Sequence, residues 1–263
     1  MTERQTKKHF KKRSKSAVSP VISTIIISST LLIILVIASF VSTNILELQL
    51  ANTEFEQAKT NMLLLNKIIQ DVALRPGAVS SIQFNQRSGG IGIYESTEKI
   101  NITATQISSE PLYPFDPNDS FYIIKYRGGS RVSAAENTLA GSSSLVVDTS
   151  DSLGYVRVEV GNGVWIVLDY LRVRVITNIT LSVGDTQYNL TEIFIIRLEL
   201  GSTSGSGTVT VKAQNIGFRA RTYYPTDGTT LYIRVGDQIT ELVFTGSNLV
   251  VRITEARIRI SIT

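Results

Sequence analysis

The hydrophobic pattern of the chain changes twice along its length. A basic N-terminal segment is followed by about thirty residues without any charge, Ala17 to Leu46, most of them Ile, Leu, Val, Ser or Thr. From Leu48 the apolar residues recur at steps of three and four, and after Gly77 they alternate with polar residues. These periods predict one long helix and then many strands. The predicted fold class is therefore α+β: a long N-terminal apolar helix followed by an antiparallel β-sandwich-type globular domain.

The uncharged run is longer than one membrane requires. A helix of about 20 residues crosses a bilayer core of about 30 Å, whereas Ala17 to Leu46 would measure about 45 Å at about 1.5 Å per residue. Ser and Thr punctuate the run, and small hydroxyl residues allow close approach between helices. Two interpretations are open: a single-pass anchor that contacts only lipid, and a helix that also packs against other helices.

The helical period continues beyond the uncharged run as an a/d stripe. Its members are Leu48, Ala51, Phe55, Ala58, Met62, Leu65, Ile69 and Val72. The pattern ends at Arg75-Pro76-Gly77, which is a helix stop signal. The stripe can pack against the protein's own β-rich domain or against helices of other subunits, and in a filament one helix can do both.

The region after Gly77 has the alternation of half-buried antiparallel strands. Five segments alternate: Tyr155–Val160, Leu171–Ile176, Thr208–Ala213, Leu231–Val235 and Ala256–Ile262. A sixth, Ile193–Leu200, is more continuously apolar, which favours a central position in a sheet. Recurring Gly, Asn and Asp turns between such segments indicate a sandwich. The Gly/Ser run at residues 201–207 either divides the region into two lobes or forms a long loop, and we favour the loop.

The net charge of +4 originates in the first 16 residues. They contain seven Lys and Arg and one Glu, a net charge of +6, so the rest of the chain sums to −2. The basic character is therefore no indication of nucleic-acid binding. A short basic segment before a membrane span stays in the cytoplasm. We therefore expect a single-pass protein of the cell membrane, with the C-terminal domain outside.

Few residues could carry catalytic chemistry. The chain has no cysteine, and its one histidine, His9, lies in the basic segment, so the usual nucleophile–base pairs and zinc ligands are missing. Four carboxylates occur on predicted strands at positions expected to face water: Glu159, Asp169, Glu192 and Glu199. The loop Asp116–Ser120 is rich in oxygen ligands but lacks the glycine and distal glutamate of an EF-hand, so an ordinary turn is favoured. We expect no enzyme activity, no metal site and no cofactor.

Four N-x-[ST] sequons lie in the part predicted to be outside the cell. Their acceptor residues are Asn101, Asn118, Asn178 and Asn189. Each is a candidate N-glycosylation site.

The segment KSAVSPVI at residues 15–22, with the Ile/Leu/Val run after it, resembles archaeal type IV pilin-like proteins with a class III signal peptide. In that family a prepilin peptidase cuts just before the apolar segment. The resemblance implies cleavage between Ser16 and Ala17, with Lys15 and Ser16 recognised before the cut and Ala17 and Val18 after it. It covers roughly residues 10–50 and none of the β-rich region.

The resemblance also implies a function and a domain organisation. Residues 1–16 would be a cleaved leader, residues 17–76 a helix with a membrane-embedded or filament-core part and an amphipathic part, and residues 77–263 an extracellular domain. The protein would be a major or minor structural subunit of an extracellular pilus-like filament, inserted in the membrane before assembly. Its partners would be the membrane, the peptidase, and copies of itself or related pilins through the N-terminal helix. The alternative is a monomeric membrane-anchored module for ligand binding or adhesion.

Overall fold

The computed structural model describes residues 20–104, 111–224, 230–243 and 248–263. It shows an α+β protein with one long N-terminal helix, α1 (Pro20–Ala73), followed by a mostly β region. The chain divides between Glu47 and Leu48 into two compact units. The first unit holds the N-terminal part of α1, and the second holds the rest of α1 and every strand that the described residues form.

The C-terminal end of α1 follows from local chemistry. Beyond Ala73, Pro76 has no N–H to continue the helix, and Gly77 adopts a φ of 74°. The last carbonyl groups are then satisfied from another element: the Asn215 side-chain amide donates to the carbonyl oxygens of Val72 and Ala73 at 3.1 and 3.3 Å.

Three sheets form the β region. The six-stranded sheet consists of β1 (Val79–Gln86), β6 (Val146–Val147), β9 (Val173–Val183), β10 (Thr186–Thr203), β11 (Gly207–Tyr223) and β14 (Leu249–Ile262). The five-stranded sheet consists of β2 (Gly90–Glu95), β4 (Tyr122–Arg127), β5 (Asn137–Ala140), β7 (Tyr155–Gly161) and β8 (Gly163–Asp169). The three-stranded sheet consists of β3 (Ile100–Ala104), β12 (Thr230–Val235) and β13 (Gln238–Val243).

The six-stranded sheet has the order β1-β11-β14-β10-β9-β6. Strand β10 is internal, as its continuous apolar run predicted. The C-terminal strand β14 lies between β10 and β11, antiparallel to β11 but parallel to β10. Strands β6 and β9 are also parallel, while the other strand pairs of the described residues are antiparallel. Residues 201–203 of the Gly/Ser run belong to β10 and residue 207 to β11, so residues 204–206 connect the two strands, and both strands belong to one sheet.

The first hydrophobic cluster joins α1 to two sheets. The stripe of α1 packs there against the six-stranded and five-stranded sheets. Its residues from Ala51 to Val72 are each at most 5% exposed, whereas Leu48 is 42% exposed, so the buried stripe begins one step later than predicted. The packing of the stripe against the protein's own β-rich domain is thus observed, and contact with helices of other subunits stays a prediction.

The second hydrophobic cluster lies between the three-stranded sheet and the other end of the six-stranded sheet. Along β10, Ile193 and Ile195 belong to this cluster, but Ile196 and Leu198 belong to the first. The buried face therefore changes midway along the strand. Both faces of the sheet are covered there, which explains why the segment is continuously apolar.

Candidate functional site

The N-terminal part of α1 exposes apolar side chains on all sides. No charged residue occurs between Pro20 and Leu46, and within the described side chains from Val21 to Leu50 all are exposed except the half-buried Ser23 and Asn44. The seven consecutive residues Leu31–Ile37 are each between 57% and 68% exposed, so no side of the helix is covered. This helix is long and apolar enough to span a membrane, which is consistent with a single-pass anchor.

Several hydroxyl groups of this segment are satisfied within the helix. The Oγ1 atoms of Thr24, Thr30 and Thr43 donate to carbonyl oxygens three or four residues earlier at 2.8–2.9 Å. Ser29 makes a similar bond to Ile26. Because such bonds remove the need for water, these residues are compatible with a lipid environment.

The residues of the predicted peptidase site are not among those that the structure describes. Lys15, Ser16, Ala17 and Val18 precede Pro20, and the predicted cut between Ser16 and Ala17 stays a prediction.

The glycosylation candidates have different environments. Asn118 lies exposed in a turn, and Asn189 is exposed on β10. Asn101 is half-buried on β3, and the side chain of Asn178 is outside the described part of β9. Asn118 therefore has the most accessible backbone of the three described candidates, since the other two belong to paired strands.

The carboxylates singled out from the sequence each have a polar partner. Asp169 pairs with Arg157 and Arg172. Glu159 and Glu199 each pair with arginine as well, and Glu192 accepts a hydrogen bond from the Thr254 hydroxyl at 2.6 Å. These contacts are ion pairs and hydrogen bonds that hold strands together rather than a pair of facing acids. The expectation that these four residues face water is therefore wrong for Asp169, which is 4% exposed.

A charged cluster lies at the boundary of the second hydrophobic cluster. We call it the ion network; its members are Asp119, Arg197, Glu199, Arg219, Glu255 and Arg257. Glu255 is fully buried at its centre. Its carboxylate accepts hydrogen bonds from the Tyr113 hydroxyl at 2.8 Å and from Arg219 Nε at 2.9 Å, and Arg197 Nε lies 3.3 Å away.

The ion network holds equal numbers of cationic and anionic groups, as buried charges require. Burial raises the pKa of the Tyr113 hydroxyl well above its ordinary value, and the neighbouring Glu255 carboxylate raises it further. Tyr113 is therefore a fixed hydrogen-bond donor. The sequence contained a signal for this network, because a central strand that includes Arg197 must provide a partner for it.

The Asp116–Ser120 loop is a turn linked to this network. The Asp116 carboxylate accepts from the backbone N–H of Asn118 at 2.9 Å, and Asp119 pairs with Arg219. Among the described residues, no group of three His, Cys, Asp or Glu is placed to hold a metal ion.

The outer face of the five-stranded sheet carries residues that the sequence analysis did not single out. Trp165, the one tryptophan of the chain, lies on β8 beside Tyr94 of β2 and Arg127 of β4. In the sequence, Trp165 stands within the apolar run VWIVL, and only the strand register shows which cations lie beside it.

Comparison with known proteins found no match: no protein family, no curated protein and no solved structure is significantly similar to the chain.

Proposed function

We propose that the protein is a structural subunit of an extracellular pilus-like filament and that α1 holds it in the membrane before assembly. The observation that carries the proposal is the uncharged part of α1, which is apolar on all sides. From Pro20 to Leu46 it would measure about 40 Å at about 1.5 Å per residue, more than the hydrocarbon core of about 30 Å. Once such an apolar helix leaves the lipid, packing against copies of itself removes its apolar surface from water, which is favourable in free energy.

The junction at residues 15–22 supports the same proposal. Cleavage before Ala17 would remove seven cations that could not be buried in a core of packed helices. Helix α1 also continues directly into the β-rich unit, which gives further support. A tethered receptor would gain reach from a flexible stalk between its membrane span and its outer domain. A continuous helix suits a filament subunit better.

One face of α1 offers a place for helix–helix contact. Ser39 follows Ser28 by eleven residues, which make about three helical turns. Ser42 follows Ser39 by about one further turn, so the three serines lie on the same side of α1. Thr24, Ser29 and Thr30 use their hydroxyls within the helix, whereas these three serines make no such bond in the described structure. Small residues with free hydroxyls allow helices to approach closely and to bond across the contact.

The test compares two leucine substitutions in the source cells. Ser28→Leu or Ser39→Leu thickens the proposed contact face, while Ser29→Leu is the matched control on another side of the helix. All variants keep the segment apolar and should insert and be processed normally. We expect surface filaments, seen by electron microscopy and identified by mass spectrometry of the sheared material, to be lost or reduced only for Ser28→Leu and Ser39→Leu.

If the parent protein forms no filament in cells that contain the secretion machinery, the proposal fails and the alternative of an anchored binding module takes its place. If both contact-face variants assemble like Ser29→Leu, the serine side of α1 is not the assembly contact.

A further inference from the structure

The outer face of the five-stranded sheet presents two cations beside two aromatic rings. Strand residues alternate between faces, and Ile124, Tyr126 and Ile166 point into the first hydrophobic cluster. Their neighbours Lys125, Arg127 and Trp165 therefore lie on the opposite face. Register pairing places Arg127 opposite Trp165 on one side and opposite Gly90 on the other. We call Tyr94, Lys125, Arg127 and Trp165 the aromatic face.

The rings of the aromatic face are held in a defined arrangement. Tyr94 and Trp165 meet edge to face, with ring centroids 6.1 Å apart and an interplanar angle of 86°. The Arg127 guanidinium lies 5.6 Å from the centroid of the Trp165 ring, within the range of a cation–π contact. The indole N–H of Trp165 donates to the Asn162 carbonyl oxygen at 3.3 Å, which fixes the ring further.

The two cations have no acidic partner among the described residues. Elsewhere in the β-rich unit, Arg157, Arg197 and Arg219 each pair with at least two carboxylates. Within the part of the chain that the structure describes, Lys125 and Arg127 are in no ion pair. Their cationic groups are therefore available to pair with an anion.

A cavity of about 510 Å³ adjoins Arg127 and Tyr94. This is within the range of small-molecule sites. A Cβ atom at Gly90 would meet nothing within 4 Å, so the floor of the cavity is open at that position. At Gly92, in contrast, a Cβ atom would lie 2.9 Å from the Tyr94 ring, which already covers that part of the strand.

We propose that the aromatic face and its cavity bind an acidic saccharide, a polymer or oligomer whose sugar rings carry carboxylates. A sugar ring presents aliphatic C–H groups that pack on aromatic rings, and its carboxylate would pair with the Arg127 guanidinium and the Lys125 ammonium. A neutral saccharide would leave both cations unpaired. This proposal is independent of filament assembly and holds equally for a monomeric anchored protein.

The same geometry disfavours a nucleic acid. Single-stranded nucleic acids stack successive bases on aromatic rings along a cationic groove. Tyr94 and Trp165 instead stand nearly perpendicular to each other, and among the described residues of this face two unpaired cations accompany them.

The test uses the full chain in neutral detergent micelles and an oligogalacturonide as the probe. Because Trp165 is the one tryptophan of the chain, its fluorescence reports directly on this face. We expect a saturable change that weakens as salt is added. Arg127→Ala should weaken binding about tenfold or more, as expected for the loss of a charge-assisted hydrogen bond. The matched control is Arg234→Ala, which removes an exposed arginine from β12 and should leave binding unchanged.

A second variant keeps every charge. Gly90→Val adds a side chain to the open floor of the cavity and should also weaken binding, while circular dichroism verifies that the fold is unchanged. The proposal is overturned if a neutral malto-oligosaccharide binds as tightly as the oligogalacturonide, if oligothymidylate binds more tightly, or if neither Arg127→Ala nor Gly90→Val differs from Arg234→Ala. Failure of filament formation has no bearing on this experiment, because micelles hold the unassembled protein.

Discussion

Glu255 carries a carboxylate at a position that water does not reach. A buried carboxylate is tolerated only when hydrogen bonds and opposite charges surround it, and here Tyr113, Arg197 and Arg219 provide them. Removing one partner leaves part of a charge without compensation. The stability lost in such a change therefore depends on the charged group left without a partner, and not only on the removed hydrogen bond.

Replacing Tyr113 by Phe removes one donor from Glu255 and retains the aromatic packing against Phe115 and Phe121. We expect the free energy of unfolding to fall by about 1–3 kcal/mol. Urea unfolding followed by Trp165 fluorescence measures it. Tyr232→Phe on the three-stranded sheet is the control, because no hydrogen bond of its hydroxyl occurs in the described structure, and it should unfold like the parent.

The same variant has a pH signature. A tyrosine in an unfolded chain has a pKa of about 10, and burial, followed by Glu255, raises the pKa of Tyr113 in the folded state. The stabilisation is therefore complete below about pH 10 and is lost as the pH rises toward the folded-state pKa. Burial also raises the pKa of Tyr170, so part of the alkaline loss persists in the variant. Equal alkaline slopes for the parent and Tyr113→Phe would contradict this role.

Asn215 links the end of α1 to the six-stranded sheet. Its amide donates to the carbonyl oxygens of Val72 and Ala73, and its side-chain oxygen accepts from the Gly217 N–H at 2.8 Å. Asn215→Ala would remove the side-chain partners of the Ala73 carbonyl oxygen and the Gly217 N–H, although the Val72 carbonyl oxygen would keep its bond from the Arg75 N–H at 3.1 Å. We expect a loss of about 1–3 kcal/mol in unfolding free energy. Gln214→Ala, on the opposite face of β11, should change it by less than about 0.5 kcal/mol. If Asn215→Ala matches that control, the cap contributes nothing to stability.

At the level of elements, the stripe of α1 can be tested with two adjacent leucines. Leu65 is fully buried and Leu64 is 47% exposed. Because deleting a buried leucine leaves a cavity, Leu65→Ala should lower the free energy of unfolding by about 2–5 kcal/mol. Leu64→Ala should change it by no more than about 0.5 kcal/mol. Similar losses in chemical unfolding for both variants would contradict the assigned face of the helix.

The stripe could be predicted from the sequence because its signal is local. Its members recur every three or four residues, so the buried side of the helix follows from spacing alone. The internal position of β10 could be predicted for a similar reason. In contrast, the insertion of β14 between β10 and β11 depends on residues far apart in the chain, and no local period carries that information.

The candidate functional residues divide in the same way. The apolar run is continuous in the sequence and could be identified directly, and the junction at residues 15–22 is equally local but stays a prediction. The aromatic face brings Tyr94, Arg127 and Trp165 together from three strands, and Glu255 meets Tyr113 from a distant loop. Such sites depend on strand register, which a one-residue shift would abolish, so they could be found only in the folded protein.

For the whole molecule, the proposed cleavage of the leader would determine what α1 can do. A basic segment before a membrane span is expected to keep the N-terminus in the cytoplasm, and its removal before Ala17 would leave an uncharged helix end able to enter a packed core. We expect the intact mass of the membrane-extracted protein to correspond to a chain that begins at Ala17. Replacing Ser16 by Arg should leave the precursor uncut. A mature chain that begins at residue 1 or 2, or one cut after Ile45, would contradict the prediction.

The β-rich unit depends on the second half of α1. A fragment of residues 48–263 keeps the stripe, whereas a fragment of residues 78–263 keeps every sheet but loses Phe55, Met62, Leu65, Ile69 and Val72 from the first hydrophobic cluster. Burying five such side chains contributes on the order of 10 kcal/mol, which is comparable with the total stability of a typical domain, about 5–15 kcal/mol. We therefore expect the longer fragment to be a soluble monomer with a β-dominated circular dichroism spectrum, and the shorter one to aggregate or unfold. Size-exclusion chromatography and thermal unfolding decide between them. A shorter fragment that is monomeric and unfolds cooperatively would show that α1 covers the sheets without being required for their fold.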